Sequence, residues 1–157
     1  MKRDFQKSLV YAFENSKFKA VSKKQLTLEE CTALVEDICR CYGVHSPKVV
    51  FKEGYQGKIA AHYHPGKCEI LLPVFARHRN FIIHEVSHHI HHLKGDGGAS
   101  HGPLYFSIYA YLLNQYGCYP LHEIFRKAER IGIQHAYEFP KFISGMVPLP
   151  ELVVPYS

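Results

Sequence analysis

No apolar run in these 157 residues approaches the ~18 that a membrane-spanning helix requires. No C-x-x-C pair occurs among the five cysteines, at 31, 39, 41, 68 and 118. Their odd number argues against a disulfide framework and against a cysteine-type zinc ribbon, and a reduced, cytoplasmic interior is the expected setting. The opening MKRDFQKSLVYAFENSK starts basic, but its apolar stretch is short and broken by charge, and no small-residue cleavage site follows. A secretory signal is therefore not expected. Repeats, low-complexity tracts and Gly/Ser linkers are also missing, which predicts one domain over 1–157. With 46 % apolar and 21 % charged residues, the composition is that of a globular protein and not of a disordered chain.

Histidine and an uneven charge are what the sequence has in excess. There are twelve histidines, and the formal net charge is +5. Residues 1–24 hold seven Lys/Arg against only Asp4 and Glu14, while the remainder is balanced. This basic N-terminal arm offers a contact for nucleic acid or an acidic partner. The plainer reading is a solvated surface, where lysines are common.

Periodicity predicts an α+β domain. Phe5, Leu9 and Phe13 suggest a short helix within 5–19. From Thr27 to Tyr42 the pattern is firmly helical: Thr27 and Glu30 can form a capping box, apolar residues recur at helical spacing, and Gly43 suits the position after the C-cap. Three strands, 48–53, 58–64 and 69–73, separated by turn signals at Gly54–Gly57 and Pro65-Gly66, predict a small antiparallel sheet. A helix over about 75–93 follows, with Ile82, Ile83, Val86, Ile90 and Leu93 on one face. After the glycine-rich loop 94–100, Pro103 opens a helix to Tyr116, and Pro120 opens another with Leu121, Ile124, Phe125, Ala128 and Ile131 buried. The proline-rich tail from Phe139 should lie extended on the surface.

Chemistry concentrates in the 75–93 helix, where His84-Glu85-Val86-Ser87-His88 forms H-E-x-x-H. Histidines four apart share a helical face, about 6 Å apart along the axis, so both rings can reach one zinc ion. Glu85 is then placed to act as general base on a water. A shuffle of this histidine-rich composition produces such a motif about 6 % of the time, so its context matters. A zinc hydrolase needs a third protein ligand and one open position. The extended metzincin motif is excluded, because Lys94 stands where its third histidine belongs. His91 shares the face but lies ~10 Å along the axis from His84, too far for one tetrahedral ion. His89 and His92 point elsewhere, and these three are assigned to surface or supporting roles. His101 is the better third ligand: it follows the glycine-rich loop, and Gly102 would permit close backbone approach. A helix-capping role is its alternative.

HEVSHH (84–89) followed by His101-Gly102-Pro103-Leu104-Tyr105 resembles the SprT-like zinc metallopeptidases, especially their small bacterial and actinophage members. The stretch HPGKCEILLPVFARHRNFII is similar to the strand-then-helix approach of those proteins, so the resemblance covers roughly 48–116. It implies a zincin-like fold, one Zn2+ per chain held by His84, His88 and His101, Glu85 as the catalytic glutamate, and Tyr105 as the aromatic packing below the site. The implied activity is a zinc metallopeptidase that cleaves a peptide or protein substrate with a water activated by Glu85. The zinc ribbon or long DNA-binding tail common among the DNA–protein crosslink proteases of that family does not occur here, so their substrate class is not carried over. HEVSHHIHH is also similar to the metallopeptidase domain associated with prophage and toxin–antitoxin regulators, whose third ligand is a downstream glutamate; Glu123 would fill that place. A zinc-binding module without turnover is a further alternative, against which the intact Glu85 argues. For the oxyanion, Tyr105, Tyr109, His62 and His64 are all candidates, and the sequence selects none.

Overall fold

A computed structural model describes residues 4–16, 24–53, 60–95 and 97–135. In chain order these form α1 (Lys7–Glu14), α2 (Leu28–Cys41), β1 (Lys48–Phe51), β2 (His62–His64), β3 (Glu69–Leu72), a short 3-10 turn (Val74–Ala76), α3 (Arg79–Lys94), α4 (Pro103–Gly117) and α5 (Leu121–Ile131). The fold class is α+β, with a small three-stranded sheet and five α-helices among the described residues. No helix of the described residues is long and apolar enough to cross a membrane. The Gly54–Gly57 turn, the tail from Phe139 and most of the basic arm (Lys2, Arg3, Lys17, Lys19 and Lys23) lie outside the described residues.

Local chemistry sets the helix ends. At α2 the Thr27 hydroxyl accepts from the Glu30 N–H at 3.1 Å, and Glu30 Oε1 accepts from the Thr27 N–H at 3.2 Å, so two orphan donors are satisfied reciprocally. Pro103 begins α4, where its missing N–H costs nothing. At the end of α5, Gly132 adopts φ 95°, a left-handed conformation that admits glycine without strain, and its N–H closes on the Ala128 carbonyl.

The sheet is mixed, not purely antiparallel. Its order is β1-β3-β2, with β1 parallel to β3 in the register Val49↔Ile70, and β2 antiparallel to β3 with Tyr63↔Ile70. A tight hairpin would have seated β2 beside β1. Here β2 instead takes the far edge, and β3 fills the centre, where Ile70 and Leu72 are fully buried. β2 is thus an edge strand, and it packs against α3.

Helix α3 starts at Arg79, later than the apolar pattern suggests, because Pro73 and the 3-10 turn intervene. It packs chiefly on α4 and also on α2 and β2. Being enclosed on several sides, it buries Ile82, Ile83, Val86 and Ile90 and also His84, Glu85, Ser87, His89 and His91. Leu93, expected in the core, is instead 38 % exposed near the helix end. α1 lies over the α3–α4 pair: Phe13 packs edge-on against Phe106 and Tyr109, with centroids 5.3 and 6.1 Å away. The Gln6 side chain pairs both ways with the Gln134 backbone, each bond 3.0 Å, tying α1 to the end of α5.

Candidate metal centre

One helical turn of α3 and the loop before α4 bring three imidazoles together. His84 Nε2 and His88 Nε2 are 3.2 Å apart, close to the ~3.3 Å that separates two ligands of a tetrahedral zinc at about 2.0 Å. Ring centroids of His88 and His101 are 4.6 Å apart, and those of His84 and His101 5.4 Å. The three side chains each offer a ligand nitrogen within 4.8 Å of the others. His101 Nε2 is buried without a hydrogen-bond partner. A buried orphan nitrogen is costly, and a metal ion is the partner that would satisfy it. The donor set of three neutral-capable imidazoles is therefore suited to zinc.

The far nitrogens of two ligands face carboxylates, and both carboxylates come from the N-terminal segment. His101 Nδ1 lies 2.8 Å from Asp4 Oδ2; the same aspartate accepts from the His101 N–H at 3.2 Å and the Ser100 hydroxyl at 3.1 Å. His84 Nδ1 lies 3.1 Å from Glu14 Oε2, an ion-pair contact bent away from a straight hydrogen bond. Carboxylates behind metal-binding histidines fix the tautomer and raise ligand basicity. These two acids are the only ones in residues 1–24. The basic arm thus supplies the acidic backing of the site, a role its net charge conceals. The remaining signal was spacing: Lys7, Tyr11 and Glu14 fall at i, i+4 and i+7, one face of a helix.

Electrostatics follow from this arrangement. Burial lowers the basicity of His84, but Glu14 and then Glu85 outweigh it and hold the ring above its ordinary value. Burial pushes His88 well below the usual range, assisted by the neighbouring His84 and His101. Burial also lowers His101, beyond what the Asp4 pair restores. For Asp4, the bond from His101 and its charge overcome desolvation and lower the carboxyl. Glu85 is pushed up to about 7, first by burial and also by Glu14, against the opposing pull of His84 and of a bond from the Tyr63 N–H. A carboxyl near 7 is poised to take and return a proton at neutral pH.

Glu85, His88 and His101 line a cavity of about 430 Å³ together with Lys7, Tyr11, His62 and Tyr63. Tyr105 lies beneath, its ring stacked on His88 at 4.3 Å and its hydroxyl donating to the His84 carbonyl at 3.1 Å. Gly102 serves the loop and not the site: its N–H donates to the Ala99 carbonyl at 2.9 Å, and an added Cβ would meet that oxygen at 3.1 Å. Glu123 is not brought to the histidines; it borders a separate surface hollow with Arg126, Lys127 and Arg130. Of the histidines assigned to surface or supporting roles, His92 is exposed, whereas His91 is buried and lines the cavity. His89 is fully buried and faces the Tyr63 hydroxyl at 2.9 Å and the His45 carbonyl at 2.7 Å. His89 also groups with His45 and Cys68. Because both its ring nitrogens are engaged, it acts as a pin between α3, the sheet and the loop after α2.

Comparison with known protein families, curated proteins and solved structures returns no match.

Proposed function

We propose that this protein is a zinc-dependent metallohydrolase, a peptidase in which Glu85 is the general base. One observation carries the reading: three histidine nitrogens lie within 4.8 Å of one another, and two of these histidines line a cavity with a buried glutamate that is pushed up to about 7. His84, His88 and His101 would hold the metal, with Glu14 and Asp4 behind two of them. Zinc, when bound, supplies Lewis-acid polarisation and makes water more acidic.

The chain's own residues then divide the work. Glu85 accepts a proton from the attacking water and passes it to the leaving amine, and the Tyr63 N–H orients its carboxylate meanwhile. The outer edge of β2, which pairs with no further strand among the described residues, suits a substrate in extended form that adds to the sheet by main-chain hydrogen bonds. A structural metal site has no use for a buried carboxylate of this kind, and this favours turnover over a purely structural role.

The test is cleavage of denatured casein by zinc-loaded protein, with and without DNA, against Glu85→Gln. Loss of cleavage by 10²-fold or more in a variant that keeps its zinc supports the reading. Equal cleavage by the variant removes Glu85 from the role of base.

A further inference from the structure

We propose that Tyr11, on α1, is the hydrogen-bond donor to the carbonyl oxygen of the substrate as it becomes an oxyanion; this rests on the hydrolase reading above. Four other groups had a claim to that role. Tyr105 is fully buried, and its hydroxyl is committed to the His84 carbonyl. Tyr109 is fully buried and does not border the cavity. His64 also lies off the cavity, with Nδ1 accepting from the Lys67 N–H. His62 does border the cavity, but it is an exposed residue on β2 whose ring packs on His64 and against none of the three candidate ligands.

Tyr11 differs from all four. Its ring lies directly against two of the three candidate ligands, stacked on His84 at 5.6 Å and tilted on His101 at 5.4 Å. It borders the same cavity as Glu85. At 41 % exposure it is open to a ligand. The other tyrosine of the cavity wall, Tyr63, has its hydroxyl engaged by His89. Tyr11 is also held in place. Asp4 and Glu14 anchor α1 to His101 and His84 on either side of it, and Gln6 pins the helix to Gln134, three residues past α5. A donor fixed before the reaction needs no reorganisation when charge develops, which is the source of oxyanion stabilisation.

The chemistry balances without a further reactant. Water oxygen bonds to the carbonyl carbon while Glu85 takes its proton, and the π pair moves onto the carbonyl oxygen, where the Tyr11 O–H donates. The C–N bond then breaks as that pair returns, and the amine leaves with the proton from Glu85. Tyr11 keeps its own proton throughout.

Tyr11→Phe tests this, since it keeps the ring on both histidines and removes only the hydroxyl. In casein hydrolysis by the zinc-loaded full chain, the variant should lose 10- to 100-fold in kcat with KM within about twofold. A second readout needs no turnover: acetohydroxamate titrated into cobalt-substituted protein should bind about tenfold more weakly to the variant, while its spectrum before titration matches wild type. A variant with kcat and hydroxamate affinity both within twofold of wild type overturns the role of Tyr11 and leaves the hydrolase reading standing. Wild-type protein that carries zinc and cleaves nothing overturns both.

Discussion

Glu85 sits where its charge is penalised, and that penalty is measurable apart from any activity. Its carboxyl titrates near 4.5 in an unfolded chain and is pushed up to about 7 in the fold. Between these values the folded state holds a proton that the unfolded state has released. The Glu85 contribution to stability therefore falls as pH rises from about 4.5 to 7 and is level above. The full difference corresponds to about 3 kcal/mol at pH 8. Glu85→Gln removes the titration, so the metal-free variant should exceed metal-free wild type by up to about that amount at pH 8 and match it near pH 4.5. Urea unfolding at both pH values measures this, and an advantage that does not change with pH would contradict the account. Such stored cost is common where a group is kept for chemistry.

At the scale of elements, α1 is the feature that reorganises the reading of the sequence. Asp4→Asn and Glu14→Gln each remove a carboxylate behind a candidate ligand, and each should weaken zinc binding by about 10- to 100-fold. Competition with a chromophoric chelator measures it; unchanged affinity in both variants would detach α1 from the site. The sequence held half of this. The Thr27–Glu30 capping box, the H-E-x-x-H turn and the loop to His101 are local patterns, each written within a few residues, and the structure places them as local patterns allow. Asp4 and His101 are 97 residues apart, and no short-range period encodes their meeting. The same limit explains the sheet. Flanking turn signals mark β1, β2 and β3 as strands, but segments of three and four residues carry no record of which neighbour each takes or in which direction. Burial of His89 and His91 was hidden for a related reason: a helical wheel shows one apolar face, whereas α3 is covered by α2, α4 and β2 together.

For the molecule as a whole, α3 is both the centre of the core and the carrier of the site. Ile83 is fully buried there, and Ile83→Ala should cost 2–5 kcal/mol in chemical denaturation; a cost below about 1 kcal/mol would mean that α3 is not the packing centre. Zinc should add stability from outside the core, because its candidate ligands and their carboxylates join α1, α3 and the loop leading into α4. At free zinc 100-fold above its Kd the gain is about 2.7 kcal/mol. Thermal unfolding should shift upward with zinc and return on chelation, and the shift should vanish in His88→Ala.

The most direct test of the central claim is zinc content per chain, measured by elemental mass spectrometry on untagged protein purified without chelator, beside a His84→Ala/His101→Ala variant. The account predicts one zinc per wild-type chain and none in the variant. Wild-type protein without zinc, and with none taken up on dialysis against it, would contradict the metal centre and with it the proposed hydrolase.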